Sequence, residues 1–404
     1  MNKLPEDWEI KKLKDIGNVY TGITPPTSDK ENFGNEHLFV TSADIKENKY
    51  IFNSIRKLSN KGFEKTKKFK KGDILYVCIG SIGKIALAKT DFSCNQQINV
   101  LRVNKEIDNE FVYYQLMNSF PYISKFISKR VVPIMNKTTF ENLEISLPPL
   151  DEQKRIASAL SKIDAYLENT IKLIEEKERF KRGIAKKLLT CKEGENIPEA
   201  RFKGFEDEWM EVAISKIGTI ITGNTPSTKN ESFWNGNNVW VTPTDIKQKY
   251  ISNSERKLTD DGLKKSRKLP ANTLLITCIA SIGKNAILKC EGACNQQINA
   301  IIPNKNYNVD FLYYLFENEK SYLKFKAPQS VIKIMSKSEF SKLVFKFPLL
   351  EEQEKIGGYL SLLDKEIDNL KKQKELIKEM KSGTMQKLLS GEVRLSKNAF
   401  NENI

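Results

Sequence analysis

Cys94-Asn95-Gln96-Gln97-Ile98-Asn99 recurs as Cys294-Asn295-Gln296-Gln297-Ile298-Asn299, displaced by 200 residues in a chain of 404. Outward from that stretch, Ser81-Ile82-Gly83-Lys84 recurs as Ser281-Ile282-Gly283-Lys284 at the same displacement. Asp44-Ile45-Lys46 returns as Asp245-Ile246-Lys247, and Asp7-Trp8 as Glu208-Trp209. Solenoid repeats span about 20 to 50 residues, so a period this long is a domain duplication. Each half can hold one globular domain and an accessory element. Two related modules in one polypeptide suit a partner with two half-sites.

Each half has two unlike parts. Residues 1–150 and 201–350 read as similar α+β domains of mixed short strands and helices. Lys71-Gly72-Asp73 predicts a turn, Ile74–Ile79 a strand, Ser81-Ile82-Gly83 a second turn and Ile85–Ala88 another strand. Phe111–Leu116 and its copy Phe311–Phe316 read as helix. Prolines 148, 149 and 348 close the two domains. Asp151-Glu152-Gln153 then opens a long helix with acidic groups where the helix dipole favours them. Ile156, Leu160, Ile163 and Leu167 follow at three-four spacing, as do Ile356, Leu360, Leu363, Ile367 and Leu370. That pattern is a coiled-coil seam. Helices over 151–190 and 351–391 are expected to pair antiparallel and separate the two domains, with a linker at 191–200. Each would be a rod of about 60 Å. Gly357-Gly358 should weaken the start of the second. Residues 392–404 are expected to be a C-terminal tail, frayed from Asn398 to Ile404.

The net charge is +15, from 66 Lys+Arg against 51 Asp+Glu. Such a balance points to a polyanion, and to nucleic acid in particular. The basic residues also cluster in register: Lys65, Lys67, Lys68, Lys70 and Lys71 match Lys264, Lys265, Arg267 and Lys268. No apolar run approaches the roughly 18 residues of a membrane span, and Met1–Trp8 has no apolar signal region. A cytoplasmic protein with no membrane partner is expected. The six cysteines form no Cys-x-x-Cys pair and His37 is the lone histidine, so reduced, buried thiols are expected rather than zinc.

Catalytic signatures are missing from the sequence. There is no phosphate-binding Gly-x-x-x-x-Gly-Lys-Ser/Thr; Gly80-Ser81-Ile82-Gly83-Lys84 has the wrong spacing, and its twin begins with Ala280. No dinucleotide fingerprint and no Asn-Pro-Pro-Tyr/Phe motif of amino-methyltransferases is present. A Ser-His-Asp device would need His37, which has no counterpart in the second half. Asp44-x-Lys46 and Asp245-x-Lys247 could be forced into a nuclease site, but a turn-forming Asp beside a DNA-gripping Lys is simpler. What recurs are donors suited to phosphates and base edges. One loop carries Thr24 in the first copy and Asn224 and Thr225 in the second; another carries Thr41, Ser42 and Lys46 in the first and Thr242, Thr244 and Lys247 in the second. Lys129, Arg130 and Lys333 lie in a third, with Lys68, Lys84, Lys265, Arg267 and Lys284 as further basic contacts. Asn95–Asn99 is identical in both copies and reads as a buried polar turn, because two readers of different sequences should differ where they read.

The duplicated half, the Pro148–Ile156 entry to the long helix, the Leu188-Leu189 and Leu388-Leu389 ends, and Arg201-Phe202-x-Gly-Phe-x-x-x-Trp209 together resemble the specificity (S) subunit of Type I restriction–modification systems. The likeness departs at Phe347-Pro348-Leu349-Leu350, which lacks the second proline. The resemblance implies two target-recognition domains, each reading one half of a bipartite site in double-stranded DNA. It implies helices that hold those readers at fixed separation and dock two methyltransferase (M) subunits, with motor-nuclease (R) subunits joining. S-adenosylmethionine, ATP and Mg²⁺ would belong to those partners, with no cofactor in this chain. An autonomous nuclease or modification enzyme, and a scaffold that meets DNA through charge alone, are the competing readings.

Overall fold

The computed structural model describes residues 4–46, 48–124, 133–327 and 334–395, without the Tyr122 side chain. Lys129, Arg130, Lys333 and the segment from Asn398 to Ile404 lie outside the described residues. The chain divides into two compact units, Met1–Ile171 with Lys372–Ile404, and Lys172–Lys371.

In the first unit a five-stranded sheet runs in the order Gly17–Thr21, Ile98–Val103, Ile74–Val77, Ile85–Ala88, Tyr50–Ile51. All pairings are antiparallel except that of the last two strands. Alternate residues face two different cores: Ile74 and Tyr76 meet Phe111 and Ile156, while Leu75 and Val77 meet Phe69 and Phe92. A strand covered on both faces needs apolar residues at every position, which is why Ile74–Val77 is an unbroken apolar run. The turns on either side hold Gly72 and Gly83 at φ of 90° and 94°, a region that favours glycine. A three-stranded sheet (Arg56–Leu58, Phe33–Val40, Ser93–Cys94) completes the domain. The second unit repeats the plan, with its sheet ordered Gly218–Thr222, Ile298–Pro303, Thr273–Thr277, Asn285–Leu288, Tyr250–Ile251.

The long helices span Leu150–Leu189 and Leu350–Leu389, 40 residues each. The second helix runs unbroken through Gly357-Gly358. A Cβ on Gly357 would lie 2.8 Å from the backbone nitrogen of Phe311; the glycine lets the Val309–Asn318 helix approach. The missing second proline has no consequence, since Gln153 and Gln353 donate alike to the carbonyls of Pro148 and Pro348, at 2.8 and 2.9 Å. Glu152 and Glu352 are not dipole groups in solvent but buried acceptors, each taking a 3.3 Å hydrogen bond from the indole of Trp8 or Trp209. Arg394 closes the first of these sites by pairing with Glu152 and Asp7, as Arg201 closes the second at 2.8 Å from Glu352. Residues 392–395 are thus built into the first unit rather than trailing from it.

Antiparallel helix pairing is visible inside each unit. In the first, Asp164 pairs with Lys381 at 2.5 Å and Tyr166 with Gln373. In the second, Lys177 pairs with Glu366 at 2.7 Å and Lys181 with Asp364. The expected seam needs a correction at its start: Ile156 and Leu160 are buried in the first unit's core with Phe111 and Leu116, and Ile356, Leu360 and Leu363 in the second unit's core with Phe311 and Phe316. The stripe there serves the globular domain as well as Met385, Leu388 and Leu389, or Leu188 and Leu189, of the other helix. Ile163, Leu167 and Leu370 are half-buried and Ile367 is buried.

A buried polar chain ties each domain to its helices. Lys49, 4% exposed, donates from Nζ to Glu110 at 2.8 Å, the Tyr114 hydroxyl at 3.0 Å and Ser161 at 2.6 Å. Tyr114 donates onward to Asp164 at 2.6 Å. Burial, aided by that carboxylate, pushes the tyrosine well above its ordinary pKa, so it remains a donor. The second unit has the same chain: Lys249 to Asp310, Tyr314 and Ser361, and Tyr314 to Asp364. A charge removed from water this far is tolerated only when fully paired.

Burial pushes the Cys78 and Cys278 thiols up to about 12, and raises Cys94 and Cys294 as well. Thiolates are the reactive form. Maleimide at pH 7.5 should therefore modify no more than the half-buried Cys191 and Cys290 in the native protein, and all six cysteines in denaturant. Mass spectrometry of the labelled chain checks the count.

Candidate nucleic-acid interface

The recurrent loops meet at the end of the five-stranded sheet where Gly17–Thr21 stops and Ile98–Val103 starts. Gly22 crosses so close that a Cβ would lie 2.2 Å from the carbonyl oxygen of Asn95, and a Cβ on Gly223 would lie 2.2 Å from that of Cys294. That approach sets Thr24 beside Gln96, with a 2.6 Å hydrogen bond from its hydroxyl, and Thr225 beside Gln296 with the same bond. The Thr41–Asp44 turn is clamped by its aspartate: Asp44 Oδ2 accepts from the backbone and hydroxyl of Thr41 at 2.8 and 2.7 Å, and Oδ1 from the backbone of Ile55 at 2.7 Å. Asp245 does the same for Thr242 and Glu255. Both oxygens of each carboxylate are thus occupied by the turn, which argues against the nuclease reading. Ser42 donates to Gln97 at 3.2 Å and its carbonyl accepts from Lys84 at 3.2 Å, joining the Ser81-Ile82-Gly83-Lys84 turn to the cluster.

Thr24, Thr41, Ser42 and Lys84 are therefore brought together. In the second unit so are Asn224, Thr225, Lys265 and Arg267: Asn224 donates to the Lys265 carbonyl at 3.0 Å and accepts from the Arg267 backbone at 2.7 Å. Arg267 also reaches the Thr222 carbonyl at 2.6 Å, and Thr242 and Thr244 share a 2.8 Å hydroxyl contact. Lys46, Lys247 and Lys284 are exposed. Lys68 is held by Glu64 on the short helix Asn60–Glu64 and is not tied to this cluster. Lys129, Arg130 and Lys333 lie outside the described residues.

The reading of Asn95–Asn99 as a buried turn holds only in part. Ile98 and Asn99 are buried, but Gln96 and Gln296 are exposed. Their identity across the repeat reflects the threonine each one accepts from, so sameness did not exclude a surface position. His37 stacks on Phe63 at 4.0 Å and meets Asn60 at 2.7 Å, a surface contact away from any nucleophile pair. Among the described residues no group of three or more His, Cys, Asp or Glu could hold a metal ion, and no helix is long and apolar enough to cross a membrane.

Comparison with known proteins gives the same picture. The MjaVIII type I restriction enzyme specificity subunit of Methanocaldococcus jannaschii is 25% identical over 417 residues, covering 97% of this chain and 94% of that protein. The crystal structure of the Type I restriction–modification system S subunit from M. genitalium matches the fold with a TM-score of 0.59 at 18% identity, over 96% of this chain and 97% of that one. A structure described as the basis of complex assembly and conformational transition of the type I R-M system matches at 0.64 and 17% identity, over 97% of this chain and 100% of that one. The family model for the Type I restriction modification DNA specificity domain matches twice, at residues 5–176 and 206–379. Those two matches bracket the two loop clusters, and the chain belongs to the Type I restriction–modification specificity subunit family.

Proposed function

We propose that this chain is a non-catalytic specificity subunit whose two domains, within residues 1–150 and 201–350, each read one half of a bipartite site in duplex DNA. The observation that carries this reading is the repeated loop cluster: the clamps at Asp44 and Asp245 are the same, whereas Ile23 and Ser42 in the first copy correspond to Asn224 and Pro243 in the second. A common scaffold with different side chains suits two readers of unlike sequence. The long helices set the spacer between half-sites and dock two methyltransferase subunits. Exposed apolar residues support the docking role: Leu173, Phe180 and Leu362 in one unit, Leu376 and Met380 in the other. Motor-nuclease subunits complete the assembly in the cytoplasm; S-adenosylmethionine, ATP and Mg²⁺ act on the partners.

The test is to recover the tagged chain from its native cell and map methylated bases made by the complex with S-adenosylmethionine. Methylation confined to a split motif of fixed spacer is expected. DNA cleavage by the purified chain alone would overturn the proposal. Lys84→Ala and Lys284→Ala should each reduce the slope of log K against log salt by about 0.9 for every phosphate the lysine had neutralised. Fluorescence anisotropy titrations at several salt concentrations, on cognate and scrambled duplexes, should show that reduction equally on both.

A further inference from the structure

Asn53-Ser54-Ile55-Arg56-Lys57-Leu58 recurs as Asn253-Ser254-Glu255-Arg256-Lys257-Leu258, and only the third position differs. The backbone around that position is held alike in both copies. Ser54 Oγ accepts from the Phe39 backbone at 3.1 Å and donates to the Arg56 carbonyl at 2.6 Å. Ser254 does the same with Trp240 and Arg256, at 3.0 and 2.7 Å. The backbone nitrogens of Ile55 and Glu255 donate to Asp44 and Asp245, the aspartates that close the Thr41 and Thr242 turns. Positions 55 and 255 are therefore one hydrogen bond away from the loops of the proposed interface. Both side chains are exposed, Ile55 at 79%.

We infer that positions 55 and 255 are base-reading positions, Ile55 meeting a thymine methyl and Glu255 accepting from a cytosine amino group. Neither side chain can grip a phosphate. Isoleucine has no donor, and a carboxylate is repelled by the negatively charged phosphate backbone. In the major groove, apolar groups pair with the thymine methyl and carboxylates with cytosine N4. An invariant turn that presents one variable side chain is what two readers of different sequence require.

The inference rests on the DNA-reading function proposed above, so its test separates the two. The complex carrying the full-length chain is selected against duplexes with both half-sites randomised, as wild type, Ile55→Glu, Glu255→Ile and Glu255→Gln. Ile55→Glu should move the preference at one position of one half-site from thymine to cytosine by about ten-fold or more, leaving the other half-site unchanged. Glu255→Ile should do the converse in the other half-site, and Glu255→Gln should favour adenine at that position. These surface substitutions should leave the thermal midpoint unchanged. A wild-type split motif kept unaltered by all three variants overturns the inference alone. A wild-type complex with no sequence preference overturns the DNA-reading function, and the inference with it.

Discussion

Moving the two half-sites apart by a single base pair should weaken binding of the full-length protein at least a hundred-fold. One inserted pair displaces a half-site by about 3.4 Å and turns it by about 35° around the duplex, given 10 to 10.5 pairs per turn. A reader that needs its donors within hydrogen-bond reach cannot follow that rotation if its partner stays docked. Each base pair that goes unread costs about 1–3 kcal/mol, so failure at two or three in one half-site accounts for the effect. The proposed ruler is stiff for local reasons: each helix runs 40 residues without an internal proline, and the pair is tied by Asp164–Lys381 in one unit and Lys177–Glu366 in the other. A flexible tether behaves differently, since effective concentration falls only as about the −3/2 power of length. Competition binding over spacers one and two pairs longer and shorter distinguishes the cases. A sharp optimum supports the ruler, and a shallow slope means that the domains find their half-sites independently.

Lys49→Met should be strongly damaging to the first unit, lowering stability by about 3 kcal/mol or more. Methionine keeps the apolar stem but leaves Glu110 without its cation and the Tyr114 hydroxyl and Ser161 without that donor, while Asp164 retains Lys381. The pH dependence has a definite sign. Burial pushes the Glu110 carboxyl up, yet hydrogen bonds from Lys49, Tyr50 and Ser161 outweigh it, so it lies below the ordinary 4.5. Its stabilising contribution is present above about pH 4.5 and lost as pH falls through the folded value. Without Lys49 the main offsetting partner is gone and the carboxyl rises, so protonation relieves the strain. The penalty of the variant should therefore be largest near neutrality and shrink as pH falls through the raised value of that carboxyl in the variant. Burial also holds the Lys49 ammonium below its ordinary 10.5, with Glu110 opposing. In the wild type that group binds fewer protons folded than unfolded between its folded value and 10.5, so its contribution to stability rises with pH across that window. Chemical denaturation of both proteins from pH 4 to 9 checks the trend, and adding Glu110→Gln should recover part of the loss.

The duplication, the two long helices and the strand–turn–strand at Ile74–Ala88 were legible because each depends on short-range pattern. The helix seam was legible as a face but not in what covers it. Three-four spacing says that Ile156 and Leu160 are hidden, and is silent on whether Phe111 or another helix hides them. The lysine network was harder. Lys49, Tyr114, Ser161 and Asp164 each recur 200 residues on, a signal available in the sequence. Their common purpose was hidden because Lys381 in one unit answers to Lys181 in the other, from the opposite helix. Position 55 is obscure for the opposite reason: a lone mismatch in a matching stretch looks like drift until the turn around it proves to be the same in both copies.

The first unit takes its last wall from the far end of the chain: Gln115 donates to the Leu389 carbonyl at 3.0 Å, and Arg394 seals Glu152 and Asp7. The second unit, Lys172–Lys371, is contiguous. On a ribosome the order of synthesis and the order of completion are therefore reversed. The N-terminal domain emerges first, yet waits with its helix groove open until some 200 further residues have been translated. The C-terminal domain can close before it. A premature stop near residue 380 would thus spare the domain made last and cripple the one made at the outset.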